Sequence, residues 1–216
     1  IDDILDHSKI EAGKLEILHE PVHLPSLLRD ILAMLAPAAE AKLLPLRVQA
    51  AAGLPDWVLG DGLRLRQVLD NLLGNANRHT HGGRIVLSCA VCPTELDDCI
   101  RLDFAVSDNG EGIVPSELDR IFEPFFMGQG GQPTPSLRAK RMGLGLSISR
   151  DLVRLMGGEL RVRSQPGQGS TFYFSVACAL LPEAEAPDRP SLAVVAERLP
   201  TSLSRRRGEL RLLIAE

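Results

Sequence analysis

Several features that this chain lacks narrow what it can be. It has no apolar run long enough to cross a bilayer and no signal-peptide pattern, so a soluble, cytoplasmic piece is expected. It has no surplus of basic residues: 24 Lys and Arg stand against 28 Asp and Glu, a net charge of −4, which gives no electrostatic case for nucleic acid. It has only four cysteines, and although Cys89 and Cys92 spell C-x-x-C, no second such pair accompanies them. Both lie in the β-like stretch Arg84–Cys92, where three-residue spacing sends side chains to opposite faces. Reduced core cysteines are therefore expected, rather than a zinc or redox centre. His79 and His81 read as unrelated histidines near a turn, not as metal ligands. No G-x-x-x-x-G-K-[ST] occurs, so a Walker-type phosphate loop is excluded. An initiator Met is also missing and the chain stops inside an apolar run, so the expectation is a fragment whose parent could be anchored in a membrane.

What is present centres on Asp61–Thr80, DGLRLRQVLDNLLGNANRHT. Leu65, Val68, Leu69, Leu72 and Ala76 recur at three- and four-residue steps and make one apolar helical face. Asn71, Asn75 and Arg78 stand at i, i+4 and i+7, so they form a polar stripe beside that face. Two carboxamides and a cation bordering a core-facing stripe need partners, because buried polar groups are costly when unpaired.

Around this helix the chain alternates. Residues 1–18 read as the end of a polar-faced helix, broken by Pro21 and Pro25, after which a helix starts at Pro25 or Ser26 with Leu27, Leu28, Ile31, Leu32 and Leu35 on its face. Leu46–Ala50 and Trp57–Leu59 read as short strands, and Ile85–Val91 with Ile100–Ser107 as an antiparallel pair. Pro115–Arg120 reads as a short helix and Gly143–Met156 as a longer one; Glu159–Arg163 and Thr171–Ala177 are the closing strands. Between Pro124 and Arg150 there is no Asp or Glu, while Arg138, Lys140, Arg141 and Arg150 are basic; the glycines and prolines of its first half predict a mobile loop. These elements predict a two-layer α/β sandwich, a mixed sheet with helices on one face.

An apolar strand leads into DNGEGI at Asp108–Ile113, and GLGLSIS at Gly143–Ser149 opens another helix. With these, the sequence resembles the ATP-binding catalytic domain of sensor histidine kinases, in the family shared with DNA gyrase, a heat-shock chaperone and a mismatch-repair ATPase. The resemblance rests on five stretches in order across roughly residues 1–182. They are an N box (Asn71, Asn75), a first glycine box (Asp108, Gly110, Gly112), an aromatic box (Phe122, Pro124, Phe125, Phe126), a second glycine box (Gly143, Gly145) and GSTFYF at Gly169–Phe174.

The resemblance implies the Bergerat-type fold, ATP and Mg2+ as cofactors, and transfer of the γ-phosphate to a histidine. It implies catalytic roles for Asn71, Asn75 and Arg78, with Asn75 as the magnesium ligand and Arg78 as a phosphate contact. Asp108 would accept from the adenine amino group, and Gly110 and Gly112 would let the backbone pass close to base and ribose. Gly143, Gly145 and Leu146 would open a helix toward phosphate, Arg141 would contact phosphate, and Thr171 would either bond near adenine or be an ordinary strand residue. Asn71 stands where hydrolysing members carry a Glu that activates water, and a carboxamide cannot serve as general base. Two departures stand out: Arg141 replaces a usual glycine, and His79 replaces a usual aromatic. An altered glycine box is what a regulatory module with little kinase activity would show, and that is the alternative reading.

Residues 1–19 resemble the end of the second dimerisation helix, on which His7 is an ordinary side chain and not the phosphoacceptor. Residues 20–182 would be the catalytic domain. Residues 183–208 read as a linker in which Arg205–Arg207 is a solvated tether, and 209–216 (ELRLLIAE) as the first strand of a receiver domain. The partners implied are its own dimerisation helices and receiver, a response regulator or phosphotransfer protein, and a second copy in a homodimer.

Overall fold

The computed structural model describes residues 2–94, 99–126, 143–181 and 212–215. Helix α1, Asp2–Glu11, opens the chain and ends well before residue 18, to which the sequence reading carried it. The next element, β1 at Glu20–His23, is a strand where two prolines predicted only a break. It lies at the sheet's edge and pairs antiparallel with β3, Trp57–Gly60, a position where Pro21 costs no central ladder bond. Helix α2, Leu24–Ala41, follows at once, starting just before the expected Pro25 or Ser26, with His23 as its cap: the Ser26 amide donates to His23 Nδ1 at 3.2 Å. Strand β2 is Leu46–Ala51, helix α3 is Gly62–His79, and strands β4 (Ile85–Pro93) and β5 (Cys99–Asp108) form the expected antiparallel pair. Pro115–Glu117 is a 3-10 turn, shorter than the predicted helix. Helix α4, Gly145–Leu155, and strands β6 (Leu160–Gln165) and β7 (Gly169–Leu180) follow, with β8 at Leu212–Ala215.

The sheet runs β1-β3-β7-β5-β4-β2-β8, with β6 alongside β7. The β2–β4 and β2–β8 pairs are parallel and the others antiparallel, so the sheet is mixed as expected. Strand parity decides the layers. On β5, Ile100, Leu102, Phe104 and Val106 are buried while Arg101, Asp103, Ala105 and Ser107 alternate outward. Phe104 stacks on Phe174 of β7, with ring centroids 5.2 Å apart. The buried faces of α2, α3 and α4 share one core with these strands, including all five predicted α3 residues, Leu65, Val68, Leu69, Leu72 and Ala76.

All four cysteines are free. Cys89 and Cys178 are in the core, and burial pushes their thiols up to about 12 and about 11. Cys92 is half-buried, its Sγ 3.1 Å from Asp103 Oδ2 among the outward side chains, so only part of the C-x-x-C is core. The segment read as the opening of a receiver domain, Leu212–Ala215, adds to the edge of this sheet, parallel to β2.

Candidate functional site

Helix α3 carries the site because its ends are fixed by different chemistry. At its start Asp61 is buried and caps the helix, one carboxylate oxygen accepting from Arg64 N at 3.0 Å and the other from Leu18 N at 3.1 Å. At its end Thr80 Oγ1 donates to Ala76 O at 2.7 Å, and Lys42 Nζ reaches the carbonyls of Asn77, Arg78 and Thr80. A cation at a helix C-terminus satisfies open carbonyls and suits the helix dipole.

The polar stripe is partnered residue by residue. Asn71 Nδ2 donates to Ser149 Oγ of α4 at 2.9 Å, so the first N-box carboxamide ties α3 to the helix opened by the second glycine box. Arg78 Nη1 donates to Asn75 Oδ1 at 2.8 Å, placing a cation on the oxygen assigned to magnesium. Among the described residues no group of three His, Cys, Asp or Glu could cage a metal. One amide oxygen suits a hard ion that keeps its waters and arrives with phosphate oxygens, so the donor set fits Mg2+ carried by a nucleotide.

The first glycine turn crosses the end of α3. A Cβ on Gly110 would lie 2.3 Å from His79 O, and one on Gly112 (φ +70°) would lie 2.0 Å from Gln165 O. Both glycines are thus required by backbone packing against α3 and the β6–β7 turn, a reason separate from room for a base or ribose. Asp108 Oδ1 accepts from Gly110 N at 2.7 Å and Ser170 N at 3.4 Å. Burial pushes its carboxyl above the ordinary value, opposed by those two amides and by nearby His79.

Thr171 lies opposite Ser107 in the sheet. Its Oγ1 meets Ser107 Oγ at 2.9 Å, on the sheet face opposite buried Phe172, whereas Asp108 shares its neighbours with Ser170. Strand parity places adjacent residues on opposite faces, so the residue beside Asp108 is Ser170. Its hydroxyl lies 2.9 Å from Ser164 Oγ.

At the second glycine turn, Gly143 (φ +65°) passes so close to the aromatic box that a Cβ would sit 2.8 Å from Phe125 C, and Phe125 N donates to Gly143 O at 3.0 Å. A Cβ on Gly145 would lie 2.3 Å from Asn71 Oδ1. Leu146 is half-buried against the core. Phe122 packs edge-on to Phe172 at 6.5 Å, while Phe125 is exposed with φ +63°. A cavity of about 690 Å³ opens here, lined by Glu117, Arg120, Glu123 and Phe125 among others; Asp108 and the N-box residues do not line it. Arg138, Lys140 and Arg141 lie outside the described residues.

The structure thus brings Asn71, Asn75, Arg78, Asp108, Gly110 and Gly145 around one helix. Sequence reasoning missed Ser149, Ser170 and Lys42. Parity along GSTFYF carried a signal for Ser170; nothing local marked Ser149, which lies 78 residues from Asn71.

Comparison with known proteins follows the same lines. Residues 60–179 match the model of the histidine kinase-, DNA gyrase B- and HSP90-like ATPase family. Sensor protein GacS of Pseudomonas syringae pv. syringae is 40% identical over 90% of this chain and 21% of its own length. The signal transduction histidine-protein kinase BarA of Escherichia coli K12 is 37% identical over 89% of this chain and 21% of its own. The chain therefore spans about a fifth of the curated relatives it matches. Full-length ShkA in complex with AMPPNP is similar in structure at 32% identity and a TM-score of 0.69, over 87% of this chain and 36% of that one. No helix among the described residues is long and apolar enough to cross a membrane. With more than half its residues inside the family model and the ordered boxes folded around α3, the chain belongs to the histidine kinase-, DNA gyrase B- and HSP90-like ATPase family.

Proposed function

We propose that this chain is the ATP-binding catalytic unit of a hybrid sensor histidine kinase, passing the γ-phosphate of ATP to a histidine on a dimerisation helix. The carrying observation is that Asn71, at the first N-box position, is a carboxamide hydrogen-bonded to Ser149. A carboxamide there cannot take a proton from water, so the arrangement favours positioning a phosphoryl group over hydrolysing it. Asp108 accepts from the adenine amine through Oδ2, since both backbone amides are on Oδ1. Asn75 Oδ1 would supply one oxygen to magnesium carried by the nucleotide, which would neutralise phosphate charge, and Arg78 would turn from Asn75 to the phosphates. The Gly145 end of α4 offers backbone amides to the same phosphates, and Arg141 adds a cation.

In this reading residues 1–19 end a dimerisation helix, 20–182 are the catalytic domain, 183–208 link it onward and 209–216 begin a receiver. The whole protein acts as a homodimer in the cytoplasm, with or without a membrane anchor, and hands phosphate to a receiver or phosphotransfer partner. The regulatory-module alternative rested on Arg141 and finds no further support in the described residues.

Calorimetric titration with ATP tests this. Binding is expected with magnesium and much weaker binding without it. The chain alone should not label itself, and label should transfer to a dimerisation helix bearing an acceptor histidine supplied in trans. Steady ATP hydrolysis without transfer would overturn the kinase reading, and acid-labile phosphate on His7 would overturn the assignment of α1.

A further inference from the structure

His79 stands apart in the N box: it follows the basic residue of the stripe, and its ring reaches the first glycine turn. His79 Nδ1 lies 2.6 Å from Glu111 Oε1, and Glu111 N donates to His79 O at 3.2 Å, so one residue grips Glu111 by side chain and backbone. Glu111 O in turn accepts from Gly167 N at 2.7 Å, and Gly110 is packed on His79 O too tightly for any side chain. The turn that carries Asp108 is therefore clamped between the end of α3 and the β6–β7 turn. The His79–Glu111 pair is about half exposed on both sides (46% and 52%), open enough to break without unfolding the core.

We propose that His79 is a positioning residue for the nucleotide site: its protonated ring, through Glu111, holds the Asp108–Gly112 turn against α3, so nucleotide binding weakens as the ring loses its proton. The inference rests on the nucleotide-binding reading above. The charges around the ring are consistent with it. From the glycine turn come Glu111, which the imidazolium attracts, and Asp108, whose carboxylate it also favours. From the C-terminal cap of α2 comes Lys42, held on the carbonyls of Asn77, Arg78 and Thr80, and on α3 itself Arg78, turned toward Asn75. The β6–β7 turn, Gln165 to Gln168, contributes no ionisable group. An imidazole changes charge between about pH 5 and 8, where glutamate remains ionised.

The test uses wild type, His79→Phe and Glu111→Gln, with magnesium-ADP as probe at about pH 6 and about pH 8.5. Titration of the ligand itself is common to all three proteins and cancels in the comparison. Wild type should bind about two- to fivefold more tightly at the acid end, relative to both variants, the size an exposed ion pair allows. The amides of Gly110 and Glu111, followed by hydrogen exchange without nucleotide, should be better protected at acid pH in wild type only. The same pH dependence in all three proteins, or amide protection that ignores pH in wild type, would overturn the proposal. If wild type binds no magnesium-ADP at either pH, the nucleotide reading fails, and the amide measurement still decides whether His79 clamps the turn.

Discussion

The two ends of α3 hold polar side chains for opposite purposes. At the first turn, Asp61 is 7% exposed with both oxygens on backbone amides, and Arg64 donates to Asp6 of α1 at 2.9 Å, an ion pair that is mostly buried. Gln67 completes that knot by donating to the same Asp6 oxygen at 2.9 Å. At the last turn, Asn75, Arg78 and His79 are half-buried or exposed, and their partners are other side chains of the site. Groups at the first end are committed to folding, because losing a partner there leaves a buried polar atom unsatisfied. Groups at the last end can exchange a protein partner for a ligand at little cost. One helix therefore separates an end that joins α1 to the domain from an end that, in the proposed function, meets the nucleotide.

The largest expected effect breaks the first end. Asp61→Ala removes the cap of α3 and strands the Leu18 amide. Loss of the cap and of a satisfied buried donor together should cost about 2–4 kcal/mol in urea unfolding. Nucleotide affinity of the folded variant should be unchanged. A folded, equally stable Asp61→Ala protein that had lost ATP binding would show that the two ends are not separate.

Asp108→Asn acts at the other end with the opposite signature. If Asp108 reads the adenine amine, nucleotide affinity should fall by about 1.5–3 kcal/mol, the range for hydrogen bonds to a charged group. Stability should follow the burial of the carboxyl. Its folded value is raised, so charging it costs folding free energy: wild type and variant should be alike at acid pH, and wild type should lose ground as pH rises through the carboxylate range. Urea midpoints of both proteins at acid and neutral pH check the sign. A wild type that gains on the variant over that interval would mean the backbone amides on Oδ1 outweigh burial.

How much of this was legible follows from the reach of each signal. The apolar face of α3 repeats within one helix, so period alone located it, and every residue named from the pattern is buried at 4% exposure or less. The glycine turns were also visible, because composition marks a turn wherever it goes. Which backbone each glycine passes was not, since His79 O and Gln165 O meet them only through tertiary packing. Strand β1 was hidden by Pro21 and Pro25, which read as breakers until an edge position and a first helical turn are known. The face of β7 on which Thr171 stands, with its Oγ1 at Ser107 Oγ, follows from strand parity, which GSTFYF matched as a word does not carry. The Asp6–Arg64 link spans 58 residues and had no local trace.

The smallest effect sharpens the comparison at Arg78. Its guanidinium is exposed and bonded to Asn75 Oδ1, the oxygen proposed for magnesium. A cation and a divalent ion on the same oxygen repel, so under the proposed function nucleotide entry would require Arg78 to leave Asn75 and turn to phosphate. Two terms then oppose each other: Arg78 gives up a bond to a neutral amide and gains charge-assisted bonds to phosphate. The net is small because the side chain is solvated throughout, and exposed pairs contribute at most about 1 kcal/mol. Arg78→Ala should therefore leave unfolding within about 0.5 kcal/mol of wild type, as surface substitutions do. It should weaken magnesium-ATP by about 0.5–1 kcal/mol and leave adenosine, which has no phosphate, unaffected. Calorimetry with both ligands gives the answer as a ratio, which cancels any general loss of active protein. Equal weakening of both would mean that Arg78 acts by orienting the helix end and not by touching phosphate. Tighter magnesium-ATP binding would mean that freeing Asn75 outweighs the phosphate contact, and that the Arg78–Asn75 bond holds the metal position closed until a nucleotide displaces it.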